Sequence, residues 1–300
     1  IDGPVPEVAV LKLHKACYGT KVFLNGHDLG EHLPCFTPAH FANLKEHLKG
    51  DGQENELIVR VGADRDALPK GMPTGWDFEK YLFTPGIYDD VELILTAAPV
   101  VANIQAVPDI TTGAVQVSIE MENPTDADRS FNLTAEVREA KSGRVVGSGR
   151  SEAGVVIHPK QRITFPVRIP ITDCRLWTPE DPFLYEVTVG SGADAVTTRF
   201  GMRTFGFSLD SKYAKLNGKT YFLRGSNVTA YRFFEDAQRG DKPWRAEWVR
   251  RLHQKFKTMH WNALRYCIGF PPDFWYDIAD EEGILIQDEF PIWTLGDDPE

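Results

Sequence analysis

Apolar and polar positions alternate through most of the chain up to Phe205. Val22 and Leu24 alternate, and Asn25-Gly26 then supplies a tight hairpin turn. Leu57, Val59 and Val61 alternate again, and so do Val91, Leu93 and Leu95. A period of two gives each strand one buried and one wet face. Such strands separated by long polar loops predict a β-sandwich or jelly roll over residues 1–97. The loop from Ala63 to Pro85 is long and carries Trp76, Phe78, Tyr81 and Phe83, and long loops are often functional.

A second β region follows Pro99. Its alternating sets are Val115 to Met121, Phe131 to Val137, Ile163 to Ile169, Phe183 to Val189 and Val196 to Phe200. Turn residues such as Asn123-Pro124 and Ser142-Gly143 lie between them. This spacing predicts an immunoglobulin-like sandwich over residues 98–206. No catalytic constellation lies within it, so it reads as a spacer that holds its neighbours in register.

The pattern changes after Phe205. Trp244, Trp248, Leu252 and Phe256 recur every four residues, predicting an amphipathic helix with Pro243 at its start. A second helix is expected from near Pro272, with Phe274, Ile278 and Ala279 inward and Gly283 as its stop. Ile284-Leu285-Ile286 is a continuous apolar run, as in a parallel strand covered on both faces. Strands alternating with helices over residues 207–300 predict the first βα units of a TIM barrel. Three such units do not close a barrel, so the expectation is that the remainder is missing.

Composition narrows the function. The chain has 300 residues, enough for two or three domains, and a formal net charge of -10. That charge argues against nucleic acid and against an anionic membrane as partners, and suits a sugar-like ligand. No apolar run approaches the roughly 18–20 residues of a membrane span, and no signal peptide opens the chain. The compartment is not readable: soluble, with periplasmic, secreted and cytoplasmic placements all open. Cys17, Cys35, Cys174 and Cys267 form no metal or redox motif. A Cys17–Cys35 disulfide is conceivable, and buried free thiols are the plainer reading. The eight histidines read as scattered surface residues, with no metal spacing.

Barrel chemistry sits at the C-terminal ends of strands, which puts Asn227, Arg265 and the pair Asp288-Glu289 at one mouth. Arg265 suits a carboxylate partner, and Asn227 suits a ligand hydroxyl. Asp288 and Glu289 are consecutive, so in a strand they face opposite ways and cannot form a facing acid/base pair. Arg265 either pairs with Asp288 inside the mouth or meets ligand directly; both remain open here.

Several motifs together resemble glycoside hydrolase family 2, the β-galactosidase, β-glucuronidase and β-mannosidase type. In the barrel part they are Leu216-Asn217-Gly218-Lys219, Phe222-Leu223-Arg224-Gly225 with Asn227, Asn262-Ala263-Leu264-Arg265, and Phe274 to Asp288-Glu289. In the first part they are Val22 to Gly26, Phe36-Thr37-Pro38, Glu54 to Val61, and Pro85 to Val91. The resemblance implies a sugar-binding jelly roll (1–97), an immunoglobulin-like sandwich (98–206) and the N-terminal part of a TIM barrel (207–300). It implies a retaining glycosidase whose two glutamates lie downstream of residue 300, leaving no catalytic residue in this chain and the chain alone inactive. It also implies that Arg265 supports a catalytic carboxylate and that Asp90 reaches the sugar site, although a turn role for Asp90 is equally open. Departures are Val228 to Tyr231 where galactosidase-like members carry a His, Cys267-Ile268 in place of Ser-His, and Trp293 and Leu295 where magnesium ligands would stand. No magnesium site and no cofactor are therefore expected. Trp293 either stacks on a sugar or fills a core.

The expected function is hydrolysis of terminal β-linked sugars, with a carbohydrate substrate as partner, the rest of the barrel as a second, and homo-oligomers left open. The alternative is a non-catalytic carbohydrate-binding or scaffolding protein. An adhesion module is a third reading that rests on fold analogy alone.

Overall fold

The computed structural model describes residues 1–300 except 43, 75–84, 152–153, 211, 231–232, 234–236, 268 and 291–300. Trp76, Phe78, Tyr81, Phe83 and Trp293 therefore lie outside the described residues. The chain forms two compact units. One holds Ile1–Leu95, Arg224–Ala279 and Ile284–Glu300, and the other Thr96–Leu223 with Asp280–Gly283.

The first unit opens with β1 (Val8–Leu13), β2 (Ala16–Cys17), β3 (Thr20–Leu24), β4 (His27–His32), β5 (Ala39–Phe41), β6 (Leu57–Val61), β7 (Gly86–Ile87) and β8 (Val91–Thr96). β1 lies between β5 and β8, β3 lies between β4 and β6, and β2 pairs with β7. Leu11, Leu13, Val22, Leu24, Phe41 and Leu44 share one core. The β3–β4 turn is the one read from Asn25-Gly26, both in the left-handed region at φ 50° and 83°. Alternation misled at the sheet edges, however. Leu57, Val91, Leu93 and Leu95 are exposed rather than buried. β6 and β8 are the outer strands of their sheets, and a period of two reports a pleat, not whether anything covers it.

The second unit carries the sandwich. Its strands are β9 (Val100–Asp109), β10 (Ala114–Glu122), β11 (Arg129–Phe131), β12 (Thr134–Glu139), β13 (Val145–Arg150), β14 (Val155–Ile157), β15 (Arg162–Pro170), β16 (Leu184–Gly190) and β17 (Ala195–Gly201). The sheets run β15-β10-β9 and β13-β12-β16-β17, with β11 paired to β14. Val115, Val117, Ile119 and Met121 point into the core that both sheets share with Val137, Val187 and Val189. The set Phe131 to Val137 is one run in sequence but two strands in space. β11 and β12 pair with different neighbours, while Phe131, Leu133, Ala135 and Val137 all stay buried. Asn123 is fully buried yet satisfied, its amide donating to the Ala127 and Ile157 carbonyls. A small meander follows: β18 (Phe205–Phe207), β19 (Ala214–Leu216) and β20 (Lys219–Thr220), turned at Asn217-Gly218.

The first unit resumes with β21 (Asn227–Val228), α1 (Ala246–Thr258), β22 (Ala263–Tyr266), α2 (Phe274–Glu282) and β23 (Leu285–Asp288). The three strands form a parallel sheet in the order β21-β22-β23. The stripe expected on α1 is displaced by one position. Val249 and His253 are the buried residues, Trp248, Leu252 and Phe256 flank them half-buried, and Trp244 precedes the helix, its indole N–H donating to the Tyr88 carbonyl at 2.8 Å. Bulky side chains sit better around a seam than at its crowded centre. His253 also corrects the reading of all histidines as surface residues. On α2, Trp275, Ile278 and Ala279 are buried, and Gly283 ends the helix at φ 74°. All four cysteines are free, with Cys17, Cys35 and Cys267 buried. No described helix is long and apolar enough to cross a membrane.

Candidate functional site

Strand register sorts the residues at the ends of β21, β22 and β23. Asn227 stands opposite Arg265, and Arg265 opposite Gln287. With alternation, Asn227, Arg265, Gln287 and Glu289 share one face, and Val228, Tyr266 and Asp288 share the other. The side chains follow. Arg265 Nη2 lies 2.9 Å from Glu289 Oε2, and Nη1 donates to Asn227 Oδ1 at 3.3 Å. An Arg265–Asp288 pair is therefore excluded by parity. Asp288 instead accepts a 2.7 Å hydrogen bond from the Tyr276 hydroxyl on α2. Desolvation by its packed surroundings holds the Asp288 carboxyl above the usual aspartate value, against the Tyr276 bond and the positive charge of Lys15. Tyr276 is raised as well, first by its own burial and then by Asp288.

The motif residues around this face have structural work. A Cβ on Gly225 would stand 1.6 Å from the Ala263 carbonyl oxygen, so only glycine lets this backbone pass β22. Asn262, buried, accepts from the Arg224 N–H at 2.8 Å, while its own N–H donates to the Arg224 carbonyl at 2.9 Å. Behind β22, His253 donates from Nδ1 to the Val249 carbonyl at 2.8 Å. Its Nε2 then accepts from the Tyr266 hydroxyl at 2.7 Å. The carbonyl can only accept, so Nδ1 carries a proton, and in the neutral ring the bare Nε2 is left to take the Tyr266 hydroxyl's.

For Asp90 the family resemblance implied a reach into the sugar site, with a turn role equally open. Here Asp90 is exposed, its carbonyl accepts the His14 N–H at 2.9 Å, and its own N–H donates to Asp89 Oδ1. The neighbour Asp89 makes the long-range contact, with its carboxylate 2.6 Å from the Lys15 ammonium. Lys15 also binds Asp273. His14 bridges Glu92 and Asp273, and Lys12 lies 3.5 Å from Glu92. This cluster was missed. The polar pair His14-Lys15 at the end of an apolar strand was the available signal, but nothing in sequence links residue 14 to residue 273. His14, Asp89 and Asp273 place ligand atoms within 4.8 Å of one another, as a metal site would. The Lys15 ammonium already binds both carboxylates, so these residues are not read as metal ligands.

Residues 100–203 match the family model for glycosyl hydrolases family 2. A β-galactosidase of Thermoanaerobacter pseudethanolicus is 24% identical over 93% of this chain and 36% of its own length. β-Mannosidase B of Aspergillus clavatus is 26% identical over 83% of this chain and 30% of its own length. Among solved structures, Bacteroides uniformis β-glucuronidase 2, covalently bound to cyclophellitol-6-carboxylate aziridine, matches with a TM-score of 0.75 and 25% identity. That match covers 96% of this chain and 35% of the neighbour. The chain thus spans about a third of the length of the relatives it matches. A family match on the sandwich, with glycosidase relatives aligned along nearly the whole chain, makes this chain similar over almost all of its length to enzymes of glycoside hydrolase family 2.

Proposed function

We propose that the chain forms the N-terminal part of a retaining glycosidase that releases terminal β-linked sugars from O-glycosides. In this reading β21, β22 and β23 open a (β/α)8 barrel, residues 1–97 are a sugar-binding jelly roll, and residues 98–206 an immunoglobulin-like spacer. The observation that carries it is the Asn227–Arg265–Glu289 face at the C-terminal ends of three parallel strands, where barrel enzymes hold their substrates. Arg265 orients Glu289, and the oxygens of Glu289 and Asn227 offer hydrogen bonds to sugar hydroxyls. Trp293 and Asp90 are proposed as further sugar contacts. The remainder of the barrel is proposed as the structural partner.

A retaining mechanism needs two carboxyl groups about 5–5.5 Å apart across the sugar. Asp288 and Glu289 face opposite ways and are engaged by Tyr276 and Arg265. Following the family resemblance, the catalytic pair is proposed to lie outside residues 1–300, with Arg265 in support of it. Purified 1–300 is expected to show no turnover of aryl β-glycosides. The longer protein should turn them over with retention, and its Arg265→Ala variant should lose about 100-fold in kcat/KM. Hydrolysis by clean 1–300 would sink the assignment. Sugar binding without hydrolysis by the longer protein would favour the carbohydrate-binding alternative.

A further inference from the structure

The geometry around His14 selects a protonation state. Nε2 lies 2.9 Å from a Glu92 carboxylate oxygen and Nδ1 lies 3.0 Å from Asp273. Ionised carboxylates only accept hydrogen bonds, and a neutral imidazole has a single N–H to give. Both contacts are satisfied together only by the imidazolium. The groups facing it come from every neighbouring segment: Lys12 on β1, Lys15 after it, Asp89 before β8, Glu92 on β8 and Asp273 ahead of α2. Asp288, at the end of β23, feels Lys15 from farther off. With His14 charged, Lys12, Lys15 and His14 balance Asp89, Glu92 and Asp273. Without its proton, one contact fails and one negative charge is left uncompensated.

We propose that this cluster is a pH-operated clasp joining residues 1–95 to residues 224–279 within the first unit, closed while His14 is an imidazolium and loosened when it loses its proton. Burial of the ring draws its pKa down, and the bonds to Glu92 and Asp273 more than offset this, so it stands above the ordinary 6.5. The His14 contribution is then complete below pH 6.5 and lost as pH rises through the higher folded value. Glu92 is held low first by His14, and Asp273 is held low by Lys15 and His14 against its burial. Their contributions are present above their ordinary values of 4.5 and 3.8 and lost as pH falls through the depressed ones. The clasp is tightest between pH 4.5 and pH 6.5.

Hydrogen exchange read by mass spectrometry on the 1–300 chain tests this, at about pH 5.5 and about pH 8, with rates corrected for intrinsic chemistry. Peptides covering β1, β8 and residues 270–276 are expected to lose protection about two- to fivefold at the higher pH, while β10 is unchanged. In His14→Gln, which keeps one donor and one acceptor, those peptides should be equally open at both pH values. Equal protection of the parent at the two pH values overturns the proposal, as does a loss spread evenly over the chain. So does a His14→Gln variant that retains the parent's pH response. The parent measurement decides by itself if the variant does not fold.

Discussion

Single atoms decide much at the β21–β22 crossing. Gly225→Ala would drive a methyl into the Ala263 carbonyl, where neither backbone can give way. The expected cost is about 3 kcal/mol or more, read as a lower denaturation midpoint for the first unit. Tyr276→Phe acts through charge instead. Asp288 is exposed by surface area, yet desolvation by the groups packed around its carboxyl holds it above its ordinary value. Removing the phenol donor raises it further, so ionising it costs the folded state more. The variant should match the parent below the ordinary aspartate value of 3.8 and fall behind as pH rises through the folded value, by about 0.5 kcal/mol once solvent screening at this exposed carboxylate is allowed for. Urea midpoints at acid and neutral pH check the sign. An equal deficit at both would refute the account.

At the scale of elements, α1 and α2 hold the parallel strands through a core centred on Trp275, Val249, Ile278 and Tyr266. Trp275 is wholly buried, and its indole N–H donates to the Pro243 carbonyl at 2.8 Å. Trp275→Ala therefore removes packing and orphans a buried carbonyl together, for about 3–5 kcal/mol. The near-ultraviolet signal of the packed aromatics should be lost with it. Helix positions were legible from period and the end of α2 from Gly283, whereas the start and the buried seam of α1 were not. Five apolar residues spread over half its circumference, and only the neighbouring strands determine which lie deepest. The same limit applied to β8, whose alternation is plain and whose Val91, Leu93 and Leu95 are nonetheless exposed, and to Leu57 at the start of β6.

Across the whole chain, two units are assembled from segments far apart in sequence. The parallel strands bring Asn227, Arg265 and Glu289 together over a span of more than sixty residues. The clasp joins residues 12–15 and 89–92 to Asp273 over a much longer one. Because the clasp lies within one unit, its loosening should leave the sandwich core of the other unit unaffected. Denaturation followed separately for the two units should show stability lost as pH rises above 6.5 only in the first. A matched shift in both would argue against it.

What the sequence determined by itself was local or periodic. Alternation marked the sandwich strands, Asn25-Gly26 marked the first hairpin turn, and the motifs around Arg224-Gly225 and Arg265 marked the resemblance to the family. Parity even showed that Asp288 and Glu289 must part, since neighbours in a strand cannot share a face. Which of them meets Arg265 was settled only by parallel register, because a partner strand's phase is a property of the pairing. The Asp89–Lys15 pair, the burial of His253 and the two carboxylate contacts of His14 were likewise decided by tertiary structure. Each depends on the distance between groups far apart along the chain, and on how much water the fold leaves around them.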